Sequence, residues 1–127
     1  AERERQGICY KPLEELLRDS EVVFTCLNKN TILLHEEEFR QLGDGKIMFN
    51  TSIGPAADMD ALEGWIKRDG NLFCCDMTES LGDMSEEVRN RENVICIGGS
   101  SGMTEQAYDL LARKSLDNIK EYLVKNI

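Results

Sequence analysis

The sequence predicts an α/β fold, in which an open parallel sheet is flanked by helices. Four short apolar runs, rich in branched and aromatic residues, recur along the chain with almost no polar alternation inside them. Strands that helices cover on both faces have this composition, which is typical of parallel sheets. A segment with helical spacing separates each run from the next, as crossovers between parallel strands require. The 127 residues leave room for a single domain, residues 1–127, with one core.

The strands are predicted where apolar residues follow one another without interruption. A weaker run at residues 8–10 predicts a further strand ahead of the other four. The four main strands are predicted at residues 22–27, 47–51, 72–76 and 94–97.

The helices are predicted from apolar stripes and from the residues that begin and end helices. Pro12 opens the first helix, and Gly43 ends the second. Asp83 and Glu86 have the spacing of a capping box for the fourth helix, and Thr104 caps a long fifth helix. Helices are therefore predicted at residues 12–18, 36–42, 59–68 and 85–91, and from residue 104 almost to the chain end.

The composition argues against two kinds of partner. With 24 acidic and 15 basic residues the net charge is −9, which repels phosphate backbones, so we expect no nucleic acid. No apolar run approaches the roughly 20 residues of a membrane helix, and the charged start lacks the apolar middle of a signal peptide. We therefore expect no membrane and a cytoplasmic location. The start at residues 1–5, without methionine, resembles the end of a helix and suggests a fragment or a processed chain.

The cysteines and the single histidine are predicted to have structural roles. The five cysteines include no Cys-x-x-Cys spacing, and the adjacent Cys74 and Cys75 would point to opposite faces of a strand. We expect buried reduced thiols and no metal site. His35 lies at the start of a connecting helix, where a surface or capping role is expected.

The candidate functional residues follow the predicted strands. In open parallel sheets ligands bind beyond the carboxyl ends of the strands, so the loops that begin there are the informative ones. Four such loops are predicted, at residues 28–31, 50–55, 76–79 and 98–102.

Several motifs, in order along nearly the whole chain, resemble the D-isomer-specific 2-hydroxyacid dehydrogenases. The most specific is Asn-Thr-Ser-Ile-Gly at residues 50–54, followed by Asp-Met-Asp-Ala-Leu at residues 58–62. These runs resemble the family's Asn-Thr-(Ala/Ser)-Arg-Gly block and the Asp-x-x-Ala-Leu that follows it. Cys-Asp-Met at residues 75–77 is similar to the family's Leu-Asp-Val. The resemblance implies the C-terminal part of a Rossmann-type NAD-binding domain.

The resemblance also implies a cofactor, a substrate class and a partner. Members of the family transfer hydride between NAD or NADP and a small 2-hydroxy or 2-oxo acid, and two cofactor domains pair into a homodimer. Acceptor oxygens such as the Asp76 carboxylate suit the carboxamide N–H groups of nicotinamide. The alternative is that Asn50, Thr51 and Asp76 only cap turns or helices. The residues that the resemblance places at the cofactor are Leu27, Asn28, Asn50, Thr51, Ser52 and Asp76.

The chain departs from the family at its catalytic positions. Ile53 stands where the family has the Arg that binds the substrate carboxylate, so no guanidinium fork is available there. Gly98 and Gly99 stand where the family has Pro and its acid/base His. The carboxylate that orients this His falls near Leu81, with Glu79 two residues early. No catalytic residue is assigned, and enzymatic activity is left open.

Two further features concern the binding of phosphate groups and other anions. The Gly-x-Gly-x-x-Gly turn that binds pyrophosphate in such folds is missing from the sequence. Gly99, Ser100 and Ser101 lie in a glycine-rich loop between a strand and a helix, where backbone N–H groups can receive an anion or a substrate carboxylate. The alternative is a plain glycine-rich turn.

Two functions follow from these observations. The first is the NAD-binding domain of an oxidoreductase similar to the D-2-hydroxyacid dehydrogenases, with impaired catalysis as an open question. The alternative is a non-catalytic nucleotide-sensing or protein-interaction module on the same fold, which the changes at Ile53 and Gly99 favour.

Overall fold

The computed structural model describes residues 7–29 and 31–126, and it confirms the predicted α/β fold. The helix end predicted at residues 1–5 and the loop residue Asn30 lie outside the described residues. Each strand pairs in parallel with the next one along the chain. The strands are β1 (Val22–Thr25), β2 (Ile47–Asn50), β3 (Leu72–Cys75) and β4 (Val94–Cys96).

All five predicted helices are present, and a short 3-10 helix that was not predicted follows β3. His35 is the N-cap residue of α2, and Thr104 Oγ1 accepts from Ala107 N at 3.1 Å in α5, so both capping predictions are confirmed. The helices are α1 (Leu13–Asp19), α2 (Glu36–Leu42), α3 (Met59–Ile66), α4 (Glu86–Arg89) and α5 (Glu105–Asn126), and the 3-10 helix is Thr78–Leu81.

Two predictions of local structure are wrong. The capping box of Asp83 and Glu86 does not form, because Ser85 is the N-cap residue of α4. The N–H and O–H of Ser85 donate to the Glu63 carboxylate, at 2.5 and 2.8 Å. The strand at residues 8–10 is absent as well, because none of the described strands lies beside this run and its side chains are exposed. An apolar run forms a strand only where a neighbouring strand takes up its N–H and C=O groups.

The core lies on one face of the sheet. Val23, Met48 and Phe73 occupy neighbouring positions on β1, β2 and β3, and all three are buried. They pack against buried side chains of the crossover helices. Crossovers between parallel strands are almost always right-handed, so consecutive strand order places these helices on the same face. This explains why the burial alternates along β1.

The opposite face of the sheet has no helix over it among the described residues. Val22, Phe24 and Ile95 lie exposed there, and Phe24 stacks on Phe49 with ring centroids 4.6 Å apart. The expectation that helices cover both faces is therefore wrong for the part of the chain that the structure describes. The apolar stripe of α5 is likewise exposed along its whole length.

The cysteines divide by position in the sheet. Cys74 and Cys75 of β3 are buried, as predicted, and burial together with the neighbouring Cys96 thiol raises the pKa of Cys75 to about 12. Cys9 and Cys26 are exposed, so the prediction of burial is wrong for these two. They lie outside the regular elements, where an apolar neighbourhood in sequence does not ensure burial.

Gly82 joins the 3-10 helix to α4 in a conformation that side chains rarely adopt. Its φ is +49°, and an added Cβ would lie 2.8 Å from Pro55 Cγ. We expect Gly82→Ala to lower the free energy of unfolding by about 1–3 kcal/mol, because backbone strain and the Pro55 contact act together. Chemical denaturation followed by circular dichroism measures the change.

Gly64→Ala is the matched control for this prediction. Gly64 lies exposed in α3, and an added Cβ meets no atom within 4 Å. Alanine is favoured over glycine inside a helix by about 1 kcal/mol, so this variant is expected to be slightly more stable. Equal stability of the two variants would show that Gly82 is under no special constraint.

Candidate functional site

The predicted ligand loops lie together at the carboxyl edge of the sheet. The register places Thr25, Asn50, Cys75 and Cys96 side by side on the four strands. Because the strands are parallel, the chain leaves each of them at the same edge. The loops that follow the strands are therefore neighbours, and hydrogen bonds between side chains and backbone join them.

Asn50 is at the centre of this hydrogen-bond network. Its side chain is buried, and its Oδ1 accepts from Thr25 Oγ1 at 3.0 Å and from Ser52 N at 2.9 Å. Its Nδ2 donates to the Gly54 carbonyl at 3.0 Å. Both ends of the amide are therefore engaged inside the protein. In this geometry Asn50 shapes the loop that begins at Thr51.

Ser52 ties the β1 and β2 loops to the loop after β3. Its Oγ accepts from Leu27 N at 2.8 Å, and its carbonyl accepts from Ser80 Oγ at 3.1 Å. Ser52 and Ser80 are both buried. Since the backbone N–H of Leu27 is bound in this way, its position relative to the β2 loop is fixed.

The open surface of the edge is formed by three other predicted residues. Leu27 is half-buried, and Asn28 and Thr51 are exposed. Thr51 Oγ1 donates to the Thr25 carbonyl at 3.1 Å and lies 3.2 Å from the thiol of Cys26. A ligand that lies across the edge would meet these residues first.

Asp76 lies directly after β3 and is buried, with 7% of its surface exposed. Its Oδ2 accepts from the N–H of Ser101 at 3.1 Å and from the O–H of Ser101 at 2.9 Å. Its Oδ1 is buried without a hydrogen-bond partner. Burial acts to raise the pKa of Asp76, but the two Ser101 bonds and the nearby backbone N–H of Met77 outweigh it, so the pKa lies below its usual range. Asp76 is therefore a carboxylate at neutral pH.

The glycine-rich loop after β4 closes over Asp76. Gly99 N donates to the Asp76 carbonyl at 2.8 Å, and Gly98 turns the chain with a φ of +75°. Ser100 Oγ accepts from Gly102 N at 3.3 Å, inside the loop. The N–H and O–H groups of Ser101 thus bind a carboxylate of the protein itself. Binding of an external anion by Gly99, Ser100 and Ser101 stays a prediction.

Three contacts of this network were not predicted from the sequence: those of Thr25, those of Ser80, and the pairing of Ser101 with Asp76. Thr25 and Ser80 are buried polar residues that bind Asn50 and Ser52, respectively. The pairing of Ser101 with Asp76 spans 25 positions of the sequence. A polar residue inside an otherwise apolar run, as Thr25 is, could have been recognised as a candidate. The other two contacts depend on the path of the loops.

The positions that depart from the family pattern carry no side chain in the network that could transfer a proton. Ile53 is exposed beside the edge, and Gly99 contributes its backbone only. Leu81 is buried in the core, and Glu79 is exposed with its carboxylate 3.3 Å from Thr78 Oγ1. None of these four residues places a proton-transferring side chain in the network.

Two grooves in the surface are lined by residues outside the predicted ligand loops. One lies between α2 and α3, and its lining includes Phe39, Trp65, Arg40 and Arg68. Another lies at the amino ends of the strands, around Asn71 and Asn93. The carboxyl edge is a candidate because of its polar network rather than its depth.

No helix within the described residues combines the length and the apolar composition needed to cross a bilayer. Residues 7–29 and 31–126 contain no group of three or more His, Cys, Asp or Glu side chains placed to hold a metal ion.

Curated proteins similar to this chain include several glyoxylate reductases, although no family model matches it. A glyoxylate reductase of Pyrococcus furiosus is 30% identical over 121 residues, which are 89% of this chain and 35% of that protein. A glyoxylate reductase of Thermococcus gammatolerans is 34% identical over 116 residues, 82% of this chain and 34% of that protein. The chain spans about a third of the length of these curated relatives.

Solved structures agree with the sequence comparison. The D-lactate dehydrogenase of Escherichia coli matches 100% of this chain and 41% of its own, with a TM-score of 0.73 and 24% identity. That of Aquifex aeolicus, complexed with NAD and lactic acid, matches 98% and 44%, with a TM-score of 0.72 and 20% identity. D-mandelate dehydrogenase of Rhodotorula graminis matches 87% and 33%, with a TM-score of 0.68 and 26% identity. At these identities the two lactate dehydrogenases support the fold alone.

Proposed function

Because the chain belongs to the D-isomer-specific 2-hydroxyacid dehydrogenase family, we propose that it is part of the NAD-binding domain of an oxidoreductase. The proposed reaction is hydride transfer between NAD or NADP and a small 2-hydroxy or 2-oxo acid. The proposal assigns residues 1–127 to one partial Rossmann-type domain. Its cofactor site is the carboxyl edge of the sheet.

One observation carries the proposal: the loops that resemble the family's cofactor loops converge at this edge. Ser52 binds Leu27, and Asn50 holds Ser52. Asp76 follows the neighbouring strand and binds Ser101 of the next loop. Residues far apart in sequence thus form hydrogen-bonded contacts at the position where open parallel sheets bind their ligands.

The chemistry of these residues fits a nicotinamide. The carboxamide of that ring carries N–H donors, and Asp76 is a carboxylate whose buried Oδ1 has no partner. Leu27, Asn28 and Thr51 form the open side of the edge, against which a flat ring can lie. In this proposal Asn50 and Ser52 act by shaping the loops, since both are buried and bonded within the protein.

The bound cofactor would supply the hydride, and the residues of this chain would orient it. A proton-transferring side chain at the position of Gly99 would add about 10²- to 10⁴-fold in rate, and glycine cannot provide it. The exposed Ile53 offers an apolar contact to a substrate rather than a guanidinium. We therefore propose slow turnover by the residues present.

The same two residues favour the second candidate, a nucleotide-binding module without catalysis. Ile53 and Gly99 remove substrate binding and proton transfer while leaving the polar network around Asn50 and Asp76 in place. The two candidates differ in one measurement. Oxidation of NADH in the presence of a panel of 2-oxo acids supports the enzyme, and binding of NADH without any oxidation supports the module.

Cofactor binding is tested by titrating the chain with NADH up to millimolar concentration and recording amide resonances by NMR. Shifts are expected at Leu27, Asn28 and Thr51, with few changes at the amino ends of the strands. Asp76→Asn is expected to weaken binding by about tenfold, because the acceptor loses its charge.

Asp69→Asn is the matched control, since Asp69 is an exposed carboxylate in the groove at the amino ends of the strands, opposite the carboxyl edge. It should leave the affinity for NADH unchanged. Shifts confined to other parts of the molecule, or no shifts at all, would refute the proposed cofactor site. Equal weakening by the two Asn variants would indicate a general charge effect instead.

Two further expectations follow from the resemblance and belong to the same proposal. Members of the family pair through their cofactor domains, so we propose a homodimer, which light scattering in solution tests. The proposed location is the cytoplasm, which fractionation of cells that produce the protein tests.

A further inference from the structure

The Asp76 carboxylate is already occupied by the protein itself. Both donors of Ser101, its N–H and its O–H, bind the same oxygen, Oδ2, at 3.1 and 2.9 Å. A carboxylate oxygen accepts about two hydrogen bonds in good geometry, so Oδ2 has little capacity left. Ser101 therefore makes the contact that an external N–H donor would need.

The other oxygen of Asp76 does not provide an alternative contact. Oδ1 is shielded from solvent, and the residue as a whole is 7% exposed. A ligand outside the sheet edge cannot reach it unless the covering loop moves. The observed arrangement is thus a closed one, in which the candidate acceptor is present and blocked.

We infer that Ser101 is an internal competitor that decides whether Asp76 can accept a hydrogen bond from a ligand amide. The inference rests on the proposed function, because it assigns the blocked position to the carboxamide of a nicotinamide. An open form, in which Ser101 leaves Oδ2, would be the form that binds. The affinity for the ligand is then reduced by the fraction of molecules that are open.

The loop that carries Ser101 can open without disturbing the core. Residues 98–102 are three glycines and two serines, and none of the five is buried. Apart from Ser101, the contact of the loop with Asp76 is the hydrogen bond from Gly99 N to the Asp76 carbonyl, at 2.8 Å. Helix α5 begins shortly after the loop and has no buried residue, so it does not anchor the loop from the other side.

The inference is tested by comparing the affinity for NADH of the unmodified chain with that of Ser101→Ala, using the NMR titration. Removing one charge-assisted hydrogen bond from the closed form should tighten NADH binding by about tenfold. Ser100→Ala is the control, because the Ser100 hydroxyl binds Gly102 N and does not contact Asp76. Its affinity should be unchanged. Equal or weaker binding by Ser101→Ala would overturn the inference, and weaker binding would mean that Ser101 helps to hold the ligand.

A second measurement separates failure of the inference from failure of the proposed function. If Ser101 closes the loop, amide hydrogen exchange at Gly99 and Ser101 should be about tenfold faster in Ser101→Ala, and unchanged in Ser100→Ala. No NADH binding by any variant would refute the proposed function, while faster exchange would still show that Ser101 closes the loop. Unchanged exchange in Ser101→Ala would overturn the closing role itself.

Discussion

Trp65→Ala is expected to lower the free energy of unfolding by about 3–5 kcal/mol, the range observed for removal of large aromatic side chains from cores. Trp65 is 1% exposed and packs against Phe39, with ring centroids 5.6 Å apart. Its indole N–H also donates to the Gly43 carbonyl at 2.7 Å, which joins α3 to the end of α2. Denaturation by urea, followed by circular dichroism, measures the loss.

Two comparisons make this prediction specific. Trp65→Phe keeps an aromatic ring in the core and loses the hydrogen bond to Gly43, so its loss of stability should be clearly smaller. Tyr10→Ala removes an aromatic side chain that is 93% exposed and should leave stability unchanged. If Trp65→Ala were as stable as Tyr10→Ala, the packing of α2 and α3 described above would be incorrect.

Asn50→Leu is the second substitution with a large expected effect, a loss of about 2–4 kcal/mol of unfolding free energy. Leucine is close to asparagine in size but leaves Ser52 N and the Gly54 carbonyl without their partner, whereas Thr25 Oγ1 can still donate to the Phe49 carbonyl. Unsatisfied buried groups each cost about 1–3 kcal/mol, and relaxation of the exposed loop recovers part of this. Chemical denaturation measures the loss, and amide NMR shifts at residues 51–54 report the loop.

Asn50→Asp and Asn28→Leu are the companion variants. Aspartate keeps the oxygen that accepts from Thr25 and Ser52, but it buries a negative charge and turns its second oxygen toward the Gly54 carbonyl, so a loss at least as large as that of Asn50→Leu is expected at neutral pH. Asn28 is exposed in the neighbouring loop, and its replacement by leucine should have little effect on stability. A loss in Asn28→Leu as large as that in Asn50→Leu would mean that the buried amide is not what organises the edge.

The sequence predicted the position of the candidate site but not the contacts within it. Asn50 and Asp76 were predicted from their places at the carboxyl ends of two neighbouring strands, and the structure brings their loops to one edge. What each side chain does there was not predicted. Asn50 is buried and engaged at both ends, and Asp76 is closed off by Ser101. Sequence position indicates which end of a strand a residue occupies, but not whether its polar atoms remain free.

The errors in the predicted fold have the same origin, since they too depend on contacts distant in sequence. Residues 8–10 are apolar enough for a strand, but none of the described strands lies beside them. The uninterrupted apolar runs indicated helices on both faces of the sheet, whereas Phe24 and Ile95 are exposed on one face of the described chain. Cys9 and Cys26 were expected to be buried and are exposed. Each error concerns whether another part of the chain packs against the residue, which the local sequence pattern does not determine.

By itself the sequence determined the alternation of strands and helices, the parallel sheet and the edge at which the polar loops meet. These features depend on periodicity, on helix caps and on the rule that parallel strands leave the sheet at the same edge. Tertiary structure alone decided which face is covered, which polar groups are satisfied and that Ser101 binds Asp76. Contacts of this kind join residues about 25 positions apart, and their geometry depends on the path of every loop between them.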